Sequence, residues 1–107
     1  MKVLHDEMLP AGVADVLLSD VVTTVTAAGF TGLENGESIR RAPAAGWDVL
    51  ITADRNMPAQ QNIPASGVAL VLVPGNRMAD ISPRAAEIQV AVRAAKPGTV
   101  TRLQRPG

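Results

Sequence analysis

Three acids in this chain, Asp6, Glu37 and Asp54, stand where they could share one task. Asp6 and its neighbour Glu7 follow the short apolar run Val3-Leu4, and Asp54 follows Val49-Leu50-Ile51-Thr52. Apolar runs this short, bounded by turn residues, read as strands buried in a parallel sheet. Such a sheet offers its chemistry at the carboxyl ends of its strands. Asp6 and Asp54 then lie on one rim, with Glu37 in the first turn of the helix before the third strand. Carboxylates gathered there repel, which raises their pKa values unless a cation neutralises them. Mg²⁺ or Mn²⁺, hard ions that take oxygen ligands, suit that role. A metal so held activates water and stabilises charge on a phosphoryl group under attack. The residues alone point to metal-assisted phosphodiester hydrolysis.

The elements that must position these acids alternate along the chain. Val3-Leu4 opens a strand ending on His5-Asp6-Glu7, and Leu9, Val13, Val16 and Leu17 follow at helical spacing with Pro10 in the first turn. Val21 to Val25 is β-branched throughout and favours a second strand. After a loop at Ala27 to Gly32, Asn35 caps a helix from Gly36 to Ala42, which Pro43 ends or kinks. Asp48 to Thr52 is the third strand, Met57 to Gln61 a helical turn, and Val68 to Val73 an interior strand apolar on both faces. Ser82-Pro83 signals the start of a helix running to about Ala95, with Ile88 and Val92 inward. Lys96-Pro97-Gly98 stops it, and Thr99 to Leu103 forms an edge strand. The alternation predicts an α/β fold with a mostly parallel central sheet and helices on both faces. Residues 1–103 form a single domain, and residues 104–107 a frayed tail.

Composition narrows the function classes. Ten basic and ten acidic residues cancel, so no global field advertises nucleic acid or membrane, although a nuclease that touches RNA locally fits. The absence of cysteine excludes a disulfide scaffold or thiolate metal site and agrees with a reducing compartment. No apolar run approaches the roughly 20 residues that span a bilayer, and the amino-terminal segment meets acid too soon for a signal peptide. We expect a soluble cytoplasmic protein with no membrane partner. Phe30 and Trp47 are the only aromatics, too few for a base-stacking platform.

The whole chain resembles the short bacterial PIN-like domains, relatives of VapC-type toxin ribonucleases. The matching segments are Val3-Leu4-His5-Asp6-Glu7-Met8-Leu9-Pro10, Gly32-Leu33-Glu34-Asn35-Gly36-Glu37, Gly46 through Asn56, and Gln60-Gln61-Asn62. The resemblance implies a PIN-like three-layer α/β/α sandwich and a Mg²⁺-dependent ribonuclease site. By motif, Asp6 is the first metal-binding acid, Glu37 the helix acid and Asp54 the acid after the third strand. Asn56 orients water or replaces a further acid. The resemblance also implies an RNA substrate and a cognate antitoxin that covers the site. Fuller PIN domains carry a fourth acid late in the chain, where this one offers only Asp80, on a loop.

A receiver domain of two-component signalling is the alternative. Asp6-Glu7 resembles its acidic pair and Asp54-Arg55-Asn56-Met57-Pro58 its phosphoacceptor turn. Yet Val73-Pro74-Gly75 stands where a receiver ends its fourth strand on Ser or Thr, and Lys96 follows a helix instead of a strand. A non-catalytic PIN-like binding module is the third reading. Each residue also has a plain structural role: Asp54-Arg55-Asn56 as a turn that bonds its own backbone, Glu37 as a first-turn acid, and His5 as a strand residue facing away from Asp6. Arg40, Arg41 and Arg55 either contact phosphates or form a solvated face, and Trp47 anchors the third strand. Val13, Val16 and Ile88 serve a core or a second subunit, so a homodimer stays open.

Overall fold

The computed structural model describes residues 2–6, 9–10, 12–17, 21–24, 46–56, 58 and 63–103. Five strands form one sheet: β1 (Lys2–His5), β2 (Val21–Thr24), β3 (Val49–Thr52), β4 (Ala69–Leu72) and β5 (Val100–Arg102). Their order is β2-β1-β3-β4-β5 and every pairing is parallel. The described helical elements are α1 (Val13–Val16), α2 (Ile63–Ser66), α3 (Met78–Ile81), a 3₁₀ turn (Ser82–Arg84) and α4 (Ala85–Ala94). None is long and apolar enough to cross a membrane.

Alternation along the strands divides the core between two faces. On one face Val3, Val49, Ile51, Ala69, Val71 and Val73 pack with Leu9, Val13 and Leu17 around α1, and with Ile81, Ile88, Ala91 and Val92 of α3 and α4. On the other, Leu4, Leu50, Leu70 and Leu72 pack with Ile63 of α2 and with Val68, while Trp47 and Val100 lie against them. β3 and β4 are buried at every position, as interior strands covered on both faces must be. Val13 and Ile88 belong to this core, each fully buried. Gly46 enters β3 and Gly67 closes α2 with φ of 91° and 79°, a region that non-glycine residues avoid.

The helical stretch before β5 begins earlier than Ser82-Pro83 suggests. It opens with α3 at Met78, passes through the 3₁₀ turn and continues as α4 to Ala94. Neither α3 nor α4 has a side-chain cap. Pro83 brings no N–H to an α-helical ladder, so the chain tightens there instead of starting. Asp80 is correspondingly on α3, where its carboxylate pairs with Arg77 at 3.5 Å, and not on a loop. The helix expected from Gly36 to Ala42 lies outside the described residues, as does the turn at Met57 to Gln61 apart from Pro58.

Candidate functional site

The order β2-β1-β3-β4-β5 reverses direction between β1 and β3, because the chain moves outward from β1 to β2 and then returns to β1's other side. In doubly wound sheets ligands bind outside the carboxyl ends of the strands at such a switch point. Asp6 and Asp54 flank it.

Asp6 lies one residue beyond β1, and its N–H donates to the Ile51 carbonyl at 3.0 Å, which extends the ladder by one position. That extension sets Asp6 opposite Thr52, the last residue of β3. The Thr52 hydroxyl donates to Asp6 Oδ2 at 2.9 Å. Thr52 Oγ1 itself accepts the Asp54 N–H at 3.1 Å. Thr52 is fully buried at 0 % exposure, so its hydroxyl needs these partners. One side chain therefore couples the loop after β1 to the loop after β3. Asp54 Oδ1 in turn accepts the Asn56 N–H at 2.9 Å, an Asx turn that shapes the loop around the carboxylate. Asp54 is half-buried and Asn56 exposed.

Arg55 has a structural task at this rim. Its Nη2 donates to the Val73 carbonyl at 3.1 Å and to the Leu103 carbonyl at 2.6 Å, clamping the carboxyl ends of β4 and β5 to the β3 loop. His5 is buried, with Nδ1 3.1 Å from the Asp6 carbonyl. A carbonyl only accepts, so this contact assigns the proton to Nδ1. At the opposite rim, Lys2 Nζ stands 4.5 Å from the centroid of the half-buried Trp47 ring, and the Lys2 N–H donates to Asp48 Oδ2 at 2.8 Å.

Glu37 lies outside the described residues, as do Glu7, Arg40, Arg41 and Gln60-Gln61-Asn62. Among the described residues no group of three or more His, Cys, Asp or Glu gathers; the acids at the switch point are the pair Asp6 and Asp54. Their donor set is carboxylate oxygen. Each ionised carboxylate has about four lone-pair sites, more than the single hydrogen bond that Thr52 gives Asp6 or that Asn56 gives Asp54. Mg²⁺ is commonly held by one or two carboxylates together with waters and substrate phosphates. Carboxylate oxygen is the donor type that such hard divalent ions take.

Thr52 is the residue that reading the acids alone overlooks. Its trace in the sequence is a hydroxyl closing a buried apolar strand two positions before an aspartate. No family model matches the chain, and neither curated proteins nor solved structures give a match.

Proposed function

We propose that this protein is a metal-dependent endoribonuclease of the PIN-like type, a three-layer α/β/α sandwich that acts as the toxin of a toxin-antitoxin pair. The observation that carries the reading is the Thr52 hydroxyl joining Asp6 to the Asp54 loop at the switch point. Asp6 and Asp54, with Glu37, are the ligands for Mg²⁺ or Mn²⁺. When bound, the ion supplies Lewis-acid stabilisation and a more acidic water. Thr52 fixes the Asp6 carboxylate, and the Asx turn fixes that of Asp54, so both ligands are ordered before a cation arrives. Asn56, exposed beside them, orients water. A cognate antitoxin covers the rim.

Cleavage of a mixed RNA panel in Mg²⁺ or Mn²⁺ tests this. The wild type cuts, and the Asp6→Asn/Asp54→Asn double variant, folded by circular dichroism, does not. Equal activity of the two proteins removes the proposal, and a folded wild type that cuts no RNA with either ion leaves the binding module as the better account.

The strand order supports a second reading, because β2-β1-β3-β4-β5 is the order of receiver-type sheets. It ranks lower, since Val73 and Pro74 bring no hydroxyl to the end of β4 and β5 closes on Arg102-Leu103, without lysine. Beryllofluoride binding at Asp54 would reverse that ranking.

A further inference from the structure

Resting on the ribonuclease reading, we propose that Arg102 binds a phosphate of the RNA strand and so sets its path across the rim from the acids toward β5. Register places it there. Asp6 lies opposite Thr52 by extension of the β1–β3 ladder, Thr52 pairs with Leu72, and Leu72 pairs with Arg102. These four residues form one row across β1, β3, β4 and β5. They also share one face: Thr52 and Leu72 follow Leu50 and Leu70 by two positions, and Arg102 follows Val100, which packs against that same cluster. At about 4.8 Å per strand, Arg102 stands roughly 10 Å from Thr52 along the row. A guanidinium reaching inward from there meets the backbone of a strand whose scissile phosphate lies at the acids.

Two further observations support Arg102. The first is charge. Arg77 is paired with Asp80, Arg84 with Glu87, and Arg55 is engaged with two carbonyls. Among the described residues no carboxylate pairs with Arg102, which is exposed. Acids that hold a cation still repel the flanking phosphates of a polyanion, and an arginine on their row offsets that repulsion while presenting a planar donor fork to phosphate. The second is rigidity. The next residue, Leu103, donates its N–H to the Leu72 carbonyl at 3.0 Å and receives Arg55 Nη2 on its own carbonyl. The backbone immediately after Arg102 is thus pinned twice at the end of an edge strand.

The test is fluorescence anisotropy with a labelled single-stranded RNA of mixed sequence, Ca²⁺ replacing Mg²⁺, over a salt series. Wild type, Arg102→Gln, Arg102→Lys and the control Arg93→Gln on α4 are compared. Arg102→Gln is expected to bind about three- to tenfold more weakly, and the slope of log K against log salt to shrink by about 0.7, the value for one phosphate contact on a single strand. Arg102→Lys recovers the slope, and Arg93→Gln matches the wild type. Wild-type binding with an unchanged Arg102→Gln affinity and slope overturns this inference and leaves the ribonuclease reading standing. Absence of RNA binding by the wild type overturns both.

Discussion

Thr52 makes two connections through a single oxygen at the end of the central strand: it donates to one acid and accepts the backbone N–H of the other. Thr52→Val keeps the shape and removes the hydroxyl, so the half-buried Asp54 N–H loses its acceptor and the Asp6 carboxylate loses one donor. We expect it to cost about 1–3 kcal/mol in urea unfolding and to weaken cation binding, whereas Thr52→Ser retains most of both. A Thr52→Val protein as stable as the wild type would mean that water replaces the hydroxyl. Arg55 is the second residue to test. Arg55→Met removes two charge-assisted hydrogen bonds to carbonyls, and a loss of about 1.5–3 kcal/mol is expected, with faster amide hydrogen exchange at Leu103. An arginine that served only RNA would leave both quantities unchanged.

At the scale of elements, the strands were legible in the sequence for a simple reason. Val49 to Thr52 and Ala69 to Leu72 are apolar at nearly every position, and only a sheet covered on both faces buries such runs completely. The start of the last helix was less legible, since Ser82-Pro83 has the residue types of a helix start while the tertiary packing of Ile81 extends helical structure upstream to Met78. Asp6 and Asp54 could be placed on one rim from strand ends alone. Their coupling through Thr52 could not, because it depends on a register that local pattern does not encode. The α4 packing yields its own contrast: Ile88→Ala, at a fully buried position, should cost about 2–5 kcal/mol, and Val90→Ala, at 67 % exposure, no more than about 0.5 kcal/mol. Chemical denaturation distinguishes them, and equal costs would place α4 differently against the sheet.

The pair Arg84–Glu87 links the 3₁₀ turn to the first turn of this helix and predicts a pH dependence. Arg84 hydrogen-bonds the Glu87 carboxylate, Nε to Oε1 at 3.0 Å, and holds its pKa below the ordinary value of 4.5. A depressed carboxyl pKa favours the folded state when the group is ionised. Its contribution is therefore present above the ordinary carboxylate range and disappears as pH falls through the lowered value. The pair is solvent-exposed, so the effect is small. Unfolding midpoints of wild type and Glu87→Gln should differ slightly at neutral pH, with the wild type higher, and converge in acid. A difference that persists in acid would assign the effect to something other than this carboxylate.

For the molecule as a whole, an all-parallel sheet gathers the ends of all five strands on one rim, and the reversal between β1 and β3 opens that rim beside two acids. Ten positive and ten negative charges cancel over the chain, so any attraction for a polyanion has to be local. On the proposed reading, Asp6, Thr52 and Asp54 at one end of the sheet would hold the cation, and Arg102 on the same row would direct the strand. The central claim is that Asp6 and Asp54 form one cation site. Calorimetric titration of Mn²⁺ into the wild type and Asp54→Asn tests it most directly: the account predicts saturable binding that the substitution abolishes or weakens by at least about tenfold. Wild-type protein that takes up no Mn²⁺, or an Asp54→Asn protein that binds it equally well, would contradict the account.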